Sequence, residues 1–272
     1  MKTIVVHLDA SPRSAERLAI AQRLAKEQGG AVTVLYGVLP TMLSSPWAAA
    51  GGLAEAVPLL AEVDSEQRAR ARATFDAANA SRDLIWAEAV NEPLQGALLQ
   101  HAFFADLLVL GQTDPGDLQA GALPPDMVAS LIIDSGRPTL VVPYLGKFPA
   151  IGREVLLTWK PTRESASAAS AALPWLRGAD NVHLVGPVAS DGSDGGASLR
   201  RWLHQQGVNA PVHMHQVGEA LVGDALLSLA ADVNADLLVM GCYGHSRARE
   251  LVLGGASRTV LRTMTLPVLM AH

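Results

Sequence analysis

Four glycines, Gly241, Gly244, Gly254 and Gly255, stand in the stretch VMGCYGHSRARELVLGGASRTVL at 239–261; His245, Arg247 and Arg249 lie between them and Glu250 is the one opposing carboxylate. Glycine accepts positive φ at little cost and carries no Cβ, so backbone amides beside it can close on an anion. A helical pattern begins at GGASRTVLRTM, and the free N–H groups of a helix start, with the helix dipole, favour negative charge. The chemistry this spacing suits is the holding of a phosphate group, with Arg258 and the hydroxyl of Ser257 close at hand.

The elements that would position such a loop come from an internal repeat. ADLLVLGQTD at 105–114 is echoed by ADLLVMGCYG at 235–244, MVASLIIDSGRPTLVVPY by ASRTVLRTMTLPVLMAH, and TIVVHLDASPRSAERLAIAQRLA by EVLLTWKPTRESASAASAALPWL. Each copy alternates short β-branched runs with Ala/Leu helical patterns, the signature of parallel βαβ units. Strands are expected near 3–8, 31–38, 83–89, 106–111 and 138–143, then 154–159, 181–188, 211–217, 236–241 and 266–271. The first copy carries an additional Pro/Gly segment at 39–58, read as a mobile loop, and the second has SDGSDGGAS in its place. YLGKFPAIG at 144–152 reads as the linker, giving domains 1–147 and 148–272. In a doubly wound sheet, ligands settle beyond the carboxyl ends of strands, where the Gly241 loop departs.

Composition narrows the function classes. A hydrophobic content of 49% with 4% aromatics in 272 residues suits helices packed on sheets in two domains. The net charge of −5 offers no general attraction to nucleic acid or anionic lipid. Residues 1–147 carry 11 Lys/Arg against 16 Asp/Glu, whereas 148–272 balance at 10 and 10, so the second half is the better host for an anion. No apolar run reaches the roughly 18 residues of a membrane span, and no signal peptide is evident, which makes the cytoplasm the expected location.

Other residues carry weaker signals. Cys242, the single cysteine, excludes an internal disulfide and reads as a small residue filling a strand end rather than a redox sensor. His213 and His215 share a strand face as a metal pair would, but with no third ligand in view no metal is expected beyond Mg accompanying a nucleotide. Asp9 is either a ligand contact or a helix cap, and Ser11 is expected to cap. Trp159 and Trp175 read as packing residues. No P-loop, nucleophile elbow or zinc-protease motif is present and no general base presents itself, so no catalytic residue is assigned and slow ATP hydrolysis is the most that is expected.

The spacing Gly241-x2-Gly244-x9-Gly254, after DLLVMG and before a helix, resembles the phosphate motif of the universal stress protein family, in tandem form. The resemblance implies five parallel strands per copy in the order 3-2-1-4-5, flanked by helices, with the copies paired through their last strands as an internal pseudo-dimer that could form a further homodimer. It implies a stress-response regulator, and members divide into those that bind ATP or a related adenine nucleotide and those that do not. Asp9 matches the family's base-contacting Asp in the first copy, where Asp114 and Pro125-Asp126 spoil the phosphate loop. The second copy keeps that loop but has Lys160 at the Asp position, placed to meet a phosphate instead, and Gly255 where Ser or Thr is usual. The expected nucleotide contacts are therefore Gly241, Cys242, Gly244, His245 and Arg247, then Gly254, Gly255, Ala256 and Ser257, with Thr158 and Lys160 from the first strand. The rival expectation is a scaffold that works through protein contacts and binds no nucleotide.

Overall fold

The computed structural model describes residues 1–41, 57–89, 93–114, 116, 123–186, 196–215, 222–242 and 255–272. The chain forms two compact units, Met1–Ser135 and Gly136–His272.

The first unit alternates strand and helix as its repeat pattern requires: β1 Thr3–Leu8, α1 Ser14–Gln28, β2 Ala31–Tyr36, α2 Val57–Ala78, β3 Leu84–Glu88, α3 Leu94–Ala102, β4 Leu107–Gly111 and α4 Pro125–Ser135. Its strands are parallel in the order β3-β2-β1-β4, with β1 central between β2 and β4. Being covered on both faces, these strands are near-continuous apolar runs; Ile4, Val6, Leu8, Leu107, Leu108 and Val109 are all sealed from solvent. α1 lays Leu18, Ala21 and Leu24 into this core. It stops at Gly29, whose φ of 59° is the left-handed cap that frees Gly30 to donate to the Ala25 carbonyl at 2.8 Å.

The second unit begins with β5 Thr139–Val142 and continues through β6 Glu154–Thr158, α5 Arg163–Leu176, β7 Asn181–Val185, α6 Ala197–Gln205, β8 Val212–His215, α7 Val222–Asp232, β9 Leu237–Gly241, α8 Gly255–Thr263 and β10 Val268–Ala271. Its strand order is β5-β10-β9-β6-β7-β8. All neighbours are parallel except β5, which runs antiparallel to β10 with Val141 opposite Val268. The second copy thus has the expected 3-2-1-4-5 order, and the last strand of each copy pairs with the other. All ten strands fall where the sequence places them, to within three residues at each end.

The repeated ADLLV motif has a local cause. Asp106 accepts from the backbone amides of Lys2 and Thr3 at 2.5 and 3.1 Å, and Asp236 accepts from Gly152, Arg153 and Glu154 at 2.8 to 3.2 Å. In each copy one carboxylate ties the start of the first strand to the start of the fourth. Of the two loop readings, residues 42–56 and 187–195 lie outside the described residues.

Candidate functional site

At the carboxyl edge of the second sheet, β6 ends at Thr158 and β9 at Gly241, with Leu157 opposite Val239. The Thr158 hydroxyl donates to the Val239 carbonyl at 3.3 Å, pinning the two strand ends together. Trp159, half-buried, donates its amide to Val185. Lys160 follows with its side chain exposed, and its amide donates to Ser165 Oγ at 3.3 Å. α5 then starts at Thr162, whose hydroxyl accepts from the Ser165 amide.

This helix start explains Gly241. A Cβ there would stand 2.5 Å from the Ser165 amide nitrogen and 2.6 Å from the Glu164 carbonyl carbon, so the first turn of α5 by itself requires a glycine at this position. Cys242 is engaged within the fold: its amide donates to the Ala271 carbonyl at 2.9 Å and its thiol to the same oxygen at 3.4 Å. Neither is left for a ligand. Burial, with the Glu164 carboxylate behind it, pushes the thiol up to about 12, so it stays protonated and unreactive. Glu164, itself buried, is engaged by Arg163 at 2.6 Å. Burial would raise its carboxyl, but the hydrogen bond from Arg163 and those from its own amide and Thr162 hold it below its ordinary range.

α8 opens at Gly255, which is exposed; among the described residues outside its own helix and chain neighbours, no atom lies within 4 Å of where a Cβ would stand. Ala256 is half-buried and Ser257 buried, while Arg258 faces solvent. Gly244, His245, Arg247 and Gly254, with Arg249 and Glu250, lie outside the described residues. The structure therefore joins Thr158, Lys160 and Gly241 on one strand edge, and starts α8 at the exposed Gly255.

The carboxyl edge of the first sheet is filled instead. Asp9, 2% exposed, accepts from Arg17 Nη2 at 2.7 Å, from Ser14 Oγ at 2.7 Å and from the Ser11 amide at 2.9 Å. Both carboxylate oxygens are engaged by this chain's own groups. The Arg17 guanidinium lies over Gly111, where a Cβ would meet Nη1 at 2.4 Å, and its Nε donates to the His7 carbonyl. Burial alone would raise the Asp9 carboxyl; the Arg17 charge, then His7 and the donors from Ser11 and Ser14, hold it down at about 2. Burial drives His7 down, Asp9 opposes and Arg17 assists, leaving it at about 4 with Nε2 hydrogen-bonded to the Gly37 carbonyl at 2.6 Å. Ser11 does not cap α1: the cap position is Arg13, without a side-chain bond, and Ser11 contributes its carbonyl to the Ser14 amide. Arg17 escaped the sequence reading because it lies eight residues beyond Asp9, a pairing that only the turn between β1 and α1 creates.

His213 and His215 do share a face of β8, but β8 is the outermost strand, separated from β9 by β6 and β7, and there they meet His183 of β7.

Comparison with known proteins places these observations. The sequence model described as the Universal stress protein family matches residues 1–143 and 187–272. Universal stress protein Slr1230 of Synechocystis sp. is 46% identical over 54 residues, which is 19% of this chain and 19% of that protein. A universal stress protein from Archaeoglobus fulgidus DSM 4304 superposes with a TM-score of 0.68 at 17% identity, covering 99% of this chain and 95% of that one. A functionally unknown protein from Pseudomonas aeruginosa PAO1 gives 0.67 at 15% identity, over 100% of this chain and 92% of its own. These likenesses show the fold. No helix among the described residues is long and apolar enough to cross a membrane.

Proposed function

Since the chain belongs to the universal stress protein family, we propose that it is a stress-response regulator whose second half, 148–272, binds an adenine nucleotide such as ATP, or another phosphate ligand, as a signal rather than as a substrate. The observation that carries this is the difference between the two carboxyl edges. Asp9 is saturated by Arg17, Ser14 and the Ser11 amide, whereas Lys160 stands exposed where Asp9 stands in the first copy. A cation at this edge and the N-terminal dipole of α8 both favour a phosphate. Gly244, His245, Arg247 and Gly254 would supply the remaining contacts from the loop, Ser257 would complete it, and Mg would accompany a nucleotide triphosphate. The first half would act as a structural partner.

Thermal unfolding with ATP, ADP and AMP tests this. At a concentration 100 times the dissociation constant the favoured nucleotide stabilises by about 2.7 kcal/mol, and Gly244→Asp abolishes the shift. No shift with any of the three transfers support to a second reading, a scaffold that acts through protein contacts. That reading rests on a specific feature of the first unit: Ile85, Phe103 and Phe104 are 56%, 47% and 85% exposed, a concentration of apolar surface of the kind partners cover.

A further inference from the structure

Glu154 at the start of β6, Asn181 and His183 of β7, and His213 and His215 of β8 border a cavity of about 380 Å3 that ends against Val233 and Asn234 after α7. The same place in the first unit, at the starts of β1, β2 and β3, is a cavity of about 430 Å3. Its lining includes Thr3, Thr33, Ile85 and Phe104, with a single imidazole, His101, from the last turn of α3. In the second unit the corresponding strand positions hold Glu154, Asn181, His183 and His213, with His215 two residues on. One repeat has an ordinary half-apolar face where the other gathers three imidazoles and a carboxylate.

Their arrangement is directional. His183 Nδ1 lies 3.0 Å from His215 Nε2, and His183 Nε2 lies 3.3 Å from Glu154 Oε2. Glu154 accepts the Nε2 proton, so neutral His183 carries its lone pair on Nδ1, aimed at His215. Asn181 fixes the carboxylate by donating Nδ2 to Glu154 Oε1 at 2.9 Å, and its Oδ1 accepts from His213 Nε2 at 3.2 Å. The His213 ring stacks on His183 with centroids 5.3 Å apart. A carboxylate bonded to the far nitrogen of an imidazole is the support that metal-ligating histidines use to fix tautomer and ring orientation. Two nitrogens bound to one tetrahedral zinc at its usual bond lengths stand about 3.3 Å apart, a few tenths of an ångström beyond the separation seen here.

We propose that this cluster binds a borderline divalent transition-metal ion of the Zn2+ class through His183 Nδ1 and His215 Nε2, with Glu154 positioning His183. Imidazole selects such ions over Mg2+ and Ca2+. Among the described residues no three His, Cys, Asp or Glu side chains are set to hold an ion together, so water completes the coordination, which a cavity open to solvent allows. The metal pair seen in sequence as His213 and His215 is thereby reassigned: His215 ligates, His183 from the adjacent strand is its partner, and His213 packs over them.

Titration of the untagged full chain with ZnCl2 by calorimetry, and with CoCl2 by visible absorption, decides the matter. One ion per chain is expected, with MgCl2 giving no heat at this site. His183→Gln and His215→Gln each remove binding, and Glu154→Gln weakens it by about tenfold or more, the usual effect of losing such a support. His245→Gln leaves it unchanged. Absence of zinc binding up to millimolar concentration, or affinity indifferent to both His183→Gln and His215→Gln, overturns the proposal. Should His183→Gln fail to fold, His215→Gln, on the outermost strand of the sheet, decides alone.

Discussion

The carboxyl edges of the two sheets are built on the same plan and closed in opposite ways. In the first, Asp9 and Arg17 face each other across the β1–α1 turn, 2% and 5% exposed, and the guanidinium covers Gly111. In the second, the corresponding positions are Lys160, exposed, and Ala168, buried. Ser14 and Ser165 do the same job in both, accepting from the amides of Asp9 and Lys160 at 3.1 and 3.3 Å. What differs is only who satisfies the charge at the strand end. A buried ion pair satisfies it internally, whereas the exposed Lys160 ammonium would meet an outside anion on the function proposed above. On the function proposed above, duplication would let one copy trade recognition for structure while the other keeps a recognition surface.

The largest effect that tests this contrast is Arg17→Ala. It leaves the Asp9 carboxylate buried without its partner and is expected to cost about 4 kcal/mol, read from urea unfolding; Lys160→Ala is expected within about 0.5 kcal/mol of the parent because its side chain is exposed. Equal costs would erase the distinction.

Next comes acid. His7 has a folded value near 4, below its ordinary 6.5, so the folded state resists protonation and stability falls as pH drops from about 6.5 through 4, by about 3 kcal/mol in all. Asp9, held at about 2 against an ordinary 3.8, contributes stability that is present above about 4 and lost as pH falls toward 2, by about 2 kcal/mol. Both losses belong to the first edge. Unfolding followed against pH is expected to show this decline, and His7→Gln is expected to flatten the limb between pH 6.5 and 4. A limb unchanged by that substitution would detach it from His7.

Gly241→Ala is expected to cost about 2 kcal/mol through overpacking against Glu164 and Ser165, measured by the same unfolding, whether or not nucleotide is present. If instead it left stability intact and removed only nucleotide response, the glycine would belong to the ligand and not to α5. The smallest effect is Thr162→Ala, about 1 kcal/mol for the lost helix cap.

Much of this was legible in the chain. Ten strands follow from ten β-branched runs, and the repeated ADLLV fixed which runs correspond, because Asp106 and Asp236 perform one task twice. The glycine loop and Lys160 were legible as types and spacings. Arg17 and His183 were not. Arg17 reaches Asp9 only once a turn has folded β1 back on α1, and His183 meets His215 only once parallel register sets β7 beside β8. Gly241 was visible but its packing against α5 was not, since a pattern records that a Cβ is absent but not which neighbour excludes it.

The asymmetry of the two edges is tested most directly by the stoichiometry of ATP binding to the full chain, measured by isothermal titration calorimetry on the parent and on Lys160→Asp. One nucleotide per chain, with affinity lowered by the charge reversal, is the predicted result. Two nucleotides per chain, none, or an affinity that Lys160→Asp leaves unchanged or improves would contradict the account.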